Sequence, residues 1–371
     1  MKIIEYFKEL NENVNYILMR NIKQIEDNSF KDLDLLIDKK DLDKFKKTTL
    51  EFIKNNNLVV LQVVETYTGI IYIIQTNSSI LEIDVRWYIN YKNKLLEGQK
   101  FLENKVLNND IYIPDEFNSL LLLLLHNKKE KYQDKINLLQ KKYQDKLSDN
   151  TFDSLIISNN KKMILKFNFF IKKILTKKRE PIIVFHGTDG VGKTTLIDLI
   201  LEDFQAKHIK IYTKHSGGKQ GTLLPSRKKK RKNQNNGKVY DSLRLLYHTI
   251  DFIHMYFTVL YTSSIYGKRI ILDKYYTYLI KHEDMGFNVP KWLPTILYKF
   301  FIPKPDIFIL LWNEPEEVLK RKQERTYDEI VEDQKQLEQF GSLSKKFYKI
   351  KTDKSPEELK KEVFDILGYN K

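Results

Sequence analysis

Gly187-Thr188-Asp189-Gly190-Val191-Gly192-Lys193-Thr194 is the stretch on which the reading of the chain turns. It has the G-x-x-x-x-G-K-[ST] form, follows an apolar run at residues 182–185 and precedes a helical pattern over 194–203. Strand, glycine turn and helix in that order let successive backbone N–H groups point into one concavity, backed by the positive end of the helix. Such a concavity takes a triphosphate tail: Lys193 reaches the β and γ phosphates, and the Thr194 hydroxyl ligates Mg²⁺. The expected ATP-binding set is Gly187, Asp189, Gly190, Val191, Gly192, Lys193, Thr194 and Thr195.

Around this loop, 371 residues exceed one ordinary domain of about 150, so two or three compact units are expected. Apolar residues at 42% and charged residues at 30% suit a globular chain and exclude a wholly disordered one. No cysteine is present, which removes disulfides, thiolate zinc sites and cysteine nucleophiles and points to a cytoplasmic compartment. The longest aliphatic run is Leu120 to Leu125, far short of the roughly 20 residues of a membrane span. Glu5 and Lys8 interrupt the first residues, so no secretory leader is expected. Lys and Arg number 64 against 49 acids, a net charge of +15 that favours phosphate contact. Lysine is abundant throughout, however, so the excess does not by itself assign a polymer substrate.

From residue 1 to about 90, short apolar runs at 16–19, 33–37, 58–64, 69–75 and 80–87 read as strands, with one helix over 41–55. Residues 118–179 change to Lys-rich helical segments. There Ile164, Phe167, Phe170, Ile171 and Ile174 recur at helical spacing among Lys162, Lys166, Lys172 and Lys173, a basic amphipathic helix of the kind that packs between domains or lies on a membrane surface. A second basic feature, Arg227-Lys228-Lys229-Lys230-Arg231-Lys232, sits in a Gly-, Asn- and Gln-rich stretch and reads as a solvated loop.

Several motifs beyond the glycine loop agree with one another. Asp189-Gly190-Val191-Gly192-Lys193-Thr194-Thr195, Thr213-Lys214-His215-Ser216-Gly217-Gly218, Asp273-Lys274-Tyr275, and the basic Arg321-Lys322-Gln323-Glu324-Arg325 follow in an order that resembles the thymidylate kinase family of nucleoside monophosphate kinases. The resemblance covers residues 180 to about 340. It implies ATP- and Mg²⁺-dependent phosphoryl transfer, with Lys193, Arg321 and Arg325 as cations around the transferred group and Asp273 orienting Mg²⁺ or the acceptor. In the family the residue at Asp189 contacts the acceptor's sugar hydroxyl; here it either selects a nucleotide acceptor or activates a hydroxyl as general base. Lys214 and Lys274 stand where the family usually has arginine, and Trp312 where a strand-end aspartate is common, so the acceptor need not be dTMP.

In the N-terminal part, Asp32-Leu33-Asp34 puts two carboxylates on one face of a strand, and Glu82-Ile83-Asp84 repeats the pattern. Asp32, Asp34 and Asp84 are candidate Mg²⁺ ligands, as two-metal nucleotidyl transfer requires. This arrangement resembles the nucleotidyltransferase superfamily over about residues 13–97, with Arg20-Asn21 where that superfamily has Gly-Ser or Gly-Gly.

The resulting expectation is an α/β protein in three parts. Residues 1–115 form a nucleotidyltransferase-like α+β domain, 116–179 a helical bridge, and 180–371 a thymidylate kinase-like P-loop kinase with a parallel sheet. ATP and Mg²⁺ are the expected cofactors, and a small nucleotide- or sugar-type molecule is the expected partner. Consecutive phosphoryl and nucleotidyl transfer in the synthesis of activated sugars is the wider expectation. A nucleoside monophosphate kinase with an inactive first domain, and a nucleotide-gated protein holding nucleic acid or membrane through residues 227–232, are its rivals.

Overall fold

A computed structural model describes residues 3–20, 22–26, 31–77, 79–125, 129–147, 151–176, 179–215, 237–276, 289–290, 292–323 and 325–369. The chain divides into two compact units, Met1–Lys177 and Lys178–Lys371. The basic run at 227–232 and the glycines of the 213–218 motif lie outside the described residues.

The first unit runs α1 (Ile3–Asn13), β1 (Tyr16–Leu18), α2 (Ile22–Glu26), β2 (Asp32–Ile37), α3 (Leu42–Asn55), β3 (Val59–Glu65), β4 (Gly69–Gln75), β5 (Ile80–Arg86), β6 (Tyr88–Tyr91), β7 (Lys94–Glu97), β8 (Lys105–Asn108), β9 (Ile111–Pro114), α4 (Glu116–Leu125), α5 (Gln133–Lys142), β10 (Ile156–Ile157) and α6 (Asn159–Thr176). Its main sheet has the order β1-β2-β5-β4-β3, with β2 and β5 parallel and the other neighbours antiparallel. Because side chains alternate along a strand, Leu33, Leu35 and Ile37 of β2 and Ile83 and Val85 of β5 enter one core with Tyr6, Phe7 and Leu10 of α1 and Phe45 and Phe52 of α3. The opposite face carries Asp32, Asp34, Glu82 and Asp84. Farther along it, Leu36 packs with Ile17, Leu96, Phe101, Leu121 and Leu125.

Two differences from the sequence reading have physical causes. Residues 1–90 hold three helices rather than one: α1 buries Ile3, Tyr6, Phe7 and Leu10, an i, i+3, i+4, i+7 stripe that lies among charged residues. The segment expected as a bridge belongs to the first unit. Leu121 and Leu125 of α4 are part of its core, and the lysines of α6 fasten that helix to it: Lys161 to Glu97 at 2.7 Å, Lys173 to Glu65 at 2.8 Å, and Lys166 over the Tyr67 ring at 5.3 Å. The polar face of α6 therefore docks, while Met163, Ile164 and Phe167 are exposed. Among the described residues no helix is long and apolar enough to cross a membrane.

The second unit runs β11 (Ile182–His186), α7 (Lys193–Ala206), β12 (Ile211–His215), α8 (Lys238–Met255), a π-helical turn (Tyr256–Tyr261), α9 (Thr262–Ile265), β13 (Arg269–Asp273), α10 (Trp292–Phe300), β14 (Ile307–Trp312), α11 (Pro315–Arg321), α12 (Tyr327–Gly341), β15 (Lys346–Lys351) and α13 (Pro356–Leu367). All five strands are parallel, in the order β12-β13-β11-β14-β15. Covered on both faces, β11 is buried along its whole length, as the central strand of such a sheet must be. One face packs on α8, α10 and α12, the other on α7 and α13. From β11 the chain moves outward to β12, returns to β13, then crosses to β14 on the other side of β11. The crevice at the carboxyl end of β11 is thus the switch point where such sheets bind ligands.

Candidate active site

The loop after β11 fills that crevice. Gly187 passes so close to β14 that a Cβ there would stand 2.3 Å from the Leu311 carbonyl oxygen and 2.9 Å from Val191 Cγ1. Gly192 caps α7 with a left-handed backbone (φ 92°), and nothing lies within 4 Å of where its Cβ would be, which leaves the helix N-terminus open to a ligand. The Lys193 side chain is buried and donates to the carbonyls of Gly187 at 2.9 Å and Thr188 at 2.7 Å, so its ammonium is held inside the loop. Val191 is buried beneath it, and Thr194 and Thr195 are exposed on the first turn of α7.

Three charged groups meet at Asp189. Its Oδ1 is 3.4 Å from Lys274 Nζ and 3.7 Å from Lys193 Nζ. Burial pushes the Asp189 carboxyl up, but the charges of Lys274, Lys193 and Lys322 outweigh it and hold the group below the ordinary aspartate value. Lys274 reaches this position through a left-handed backbone (φ 71°) directly after β13, where its N–H donates to the Phe185 carbonyl. Asp273, the last residue of β13, lies opposite Phe185 in register, two residues before the loop. Among the described residues its Oδ1 is buried with no hydrogen-bond partner, as is Thr188 Oγ1.

The basic segment after β14 spans the break between two helices. Arg321 and Arg325 do not share a helix: α11 ends at Arg321, the backbone is extended at Lys322, and α12 begins only after Thr326, whose side chain and Glu329 form a capping box. Arg321 is exposed. Arg325 is engaged by Asp333 of α12 at 2.5 Å. The residue of this segment brought against the loop is Lys322, whose Cβ would be 3.0 Å from a Cβ on Gly190. Thr326-Tyr327-Asp328-Glu329 was the signal in the sequence for that helix boundary. His186 was also passed over: its Nδ1 accepts the Gly187 N–H at 2.9 Å, and its ring stacks on Phe308. At the end of β14, Trp312 lies beneath the ammonium groups of Lys349 and Lys351, at 4.8 and 5.3 Å from its ring centre. The side chains of Lys214 and His215 lie outside the described set.

These residues fit a triphosphate with Mg²⁺. The glycines leave an uncovered helix N-terminus, a buried ammonium stands at the loop's centre, and a carboxylate oxygen without a partner ends the neighbouring strand. Lys193 would hold the phosphates; Thr194 and Asp273 would hold the ion.

In the first unit, Asp34 lies opposite Asp84, and Asp32 opposite Glu82, across the parallel β2–β5 pair. Asp34 is paired with Arg20, and Asp84 with Arg86, whose Nε is 2.6 Å from Asp84 Oδ1 and whose Nη2 donates to Oδ2 at 2.7 Å. Among the described residues no three His, Cys, Asp or Glu side chains gather as a metal site.

A parallel sheet with a phosphate-binding loop at its switch point defines the second unit as an α/β P-loop nucleotide-binding fold. The model of the thymidylate kinase family matches residues 185–363, and the C-terminal region resembles a thymidylate kinase-like P-loop kinase. The crystal structure of thymidylate kinase from Ehrlichia chaffeensis shows 20% identity over 51% of this chain and 99% of its own, with a TM-score of 0.35. No curated protein matches the chain.

Proposed function

We propose that the second unit transfers the terminal phosphoryl group of ATP to a small nucleotide- or sugar-type acceptor. The observation that carries this reading is the placement of the buried Lys193 ammonium inside the loop, one strand away from the partnerless carboxylate oxygen of Asp273. Phosphoryl transfer asks mainly for positioning and for cations around the moving group. Lys193 supplies the first cation. A phosphate oxygen, itself charged, is a stronger partner for it than the Gly187 and Thr188 carbonyls. Lys274 and Lys322 line the rim from which further positive charge reaches the transferred group. Thr194 and Asp273 would hold Mg²⁺, which would offset the negative charge on the transferred group.

The surroundings of Asp189 favour one of the two roles that the sequence left open. A carboxylate held below its ordinary value by three lysines is ionised at neutral pH and a poor proton acceptor. Its part is to accept a hydrogen bond from the acceptor's hydroxyl and so select and orient it, while Lys274 holds the carboxylate in place. The family match over 185–363 favours a nucleoside monophosphate among acceptors, dTMP included. Lys274, a point charge in place of a planar fork, favours an acceptor whose phosphate is gripped less specifically.

ADP release measured over a panel of nucleoside monophosphates and sugars, beside Lys193→Ala, tests the reading. One acceptor is expected to raise ADP release well above the ATP-only rate in the native protein and not in the variant. No acceptor on the panel, together with no heat of ATP binding in the presence of Mg²⁺, would sink it.

A further inference from the structure

The acidic face of the first unit is where a nucleotidyl-transfer fold would gather two divalent cations, and the residues present do not fit them. Asp34 and Asp84 face each other on adjacent parallel strands, about 4.8 Å apart along the hydrogen-bonding direction. Two carboxylates so close require positive charge between or beside them. Here the chain provides it. Arg86 lies two residues beyond Asp84, hence on the same face of β5, and its guanidinium is set against the carboxylate, Nη2 donating to Oδ2 at 2.7 Å and Nε in ion-pair contact with Oδ1 at 2.6 Å. Arg20, in the bend after β1, pairs with Asp34, whose side chain is only 8% exposed.

The seat of Arg86 is built into the sheet. At Gly69, the first residue of β4 and the register partner of Arg86, a Cβ would stand 2.7 Å from Arg86 Cδ and 2.4 Å from the Val85 carbonyl oxygen. The arginine stem runs through the space that the absent side chain leaves, so it is packed against the strand rather than folded back from solvent. A hard cation needs these same carboxylate oxygens at 2.0–2.6 Å, and guanidinium groups are always charged, planar and matched to carboxylates. As tethered counter-ions they are present at millimolar or higher effective concentration, against which a dissolved cation must compete.

We propose that Arg20 and Arg86 occupy, in charge and in place, the positions of the two cations, so that the first unit is a metal-independent domain that does not perform cation-dependent nucleotidyl transfer. The proposal is independent of the phosphotransferase reading, since it concerns residues of the other unit alone.

The test is Mn²⁺ titration of the nucleotide-free full chain by calorimetry and paramagnetic resonance, in an Asp273→Asn background that disables the ion site of the second unit. The parent is expected to show no Mn²⁺ site tighter than roughly 1 mM. Arg20→Met with Arg86→Met is expected to gain a site at least about tenfold tighter, and adding Asp34→Asn should remove it. Arg86→Lys keeps a charge but cannot bridge both oxygens; it should show a smaller gain and serves if the double variant does not fold. A parent that binds Mn²⁺ tightly and loses it with Asp34→Asn would overturn the proposal. So would folded arginine variants that gain no site, or Mn²⁺-dependent nucleotidyl transfer by the native chain that Asp84→Asn abolishes.

Discussion

Asp273 and Asp84 are both carboxylates on a parallel strand pair, and in each Oδ1 is buried with no hydrogen-bond partner among the described residues, yet Asp84 alone has an arginine set against it, Nε 2.6 Å from Oδ1 and Nη2 donating to Oδ2 at 2.7 Å. The second unit leaves its counter-charge to be brought by a ligand; the first carries its own. The second unit has ion pairs at both ends of its sheet, Asp189 with Lys274 and Lys193 at the carboxyl end being one group. In the second unit the bidentate pair Arg179–Asp306, at 2.6 and 2.7 Å, lies at the amino end of the sheet, next to the starts of β11 and β14 and remote from the loop. In the first unit the pairs sit in the middle of the acidic face. A strand-borne aspartate therefore marks a ligand site only where the surrounding chain does not neutralise it.

The largest effect that bears on this contrast is expected at Lys193. Lys193→Ala removes the one ammonium at the centre of the loop and should lower turnover about a thousandfold or more, with the fold intact by circular dichroism. Retained turnover would mean that the cation serving the phosphates comes from elsewhere, and the loop would lose its special standing against the acidic face. Next comes Asp273→Asn, which keeps the shape and removes the charge: kcat should fall roughly a hundredfold and half-saturation should need more Mg²⁺. The equivalent change in the first unit, Asp84→Asn, should leave phosphoryl transfer unaltered and reduce stability instead. Equal loss of activity from both would break the distinction. A third, smaller effect is steric. Gly187→Ala forces a Cβ against the Leu311 carbonyl at 2.3 Å, so the loop must shift, at a cost of about 1–3 kcal/mol in stability and with weaker ATP binding by calorimetry.

What could be read from the sequence follows the range of the interactions. The strands at 69–75 and 80–87 were legible because a short run rich in Ile, Val and Tyr is a local signal, and so was the glycine loop, whose shape lies in its own backbone and the helix that follows. The geometry of the basic segment after β14 was not, because the order of its residues does not say how α11 ends, while the Thr326 capping box starts a new helix. Pairing hid in the same way. Asp32, Asp34 and Asp84 could be placed on one face from their spacing, but Arg20 meets Asp34 only once β1 has paired antiparallel with β2, a contact that no local pattern announces. Arg86 was closer to legible: two residues beyond Asp84 in a strand, it had to share its face. Asp189 needed the crossover that brings the end of β13 alongside β11, which is what sets Lys274 against it.

The smallest expected effect separates structural ion pairs from site carboxylates by pH. Burial pushes the Asp306 carboxyl up, but hydrogen bonds from Arg179, the Ile182 N–H and Lys345 outweigh it and hold the group below the ordinary aspartate value. A depressed value means that the unfolded chain takes up a proton first as the pH falls. The stabilisation is therefore complete above the ordinary aspartate range and is lost as pH drops through the lower folded value. Because the pair is part-exposed, its contribution is about 1 kcal/mol. Asp306→Asn should lower Tm by a few degrees at neutral pH and flatten the acid limb of the Tm–pH curve, with no change in the KM for ATP. If the variant instead raises that KM while the acid limb keeps its slope, Asp306 acts on the nucleotide site, and its reading as a structural pair at the amino end of the sheet fails.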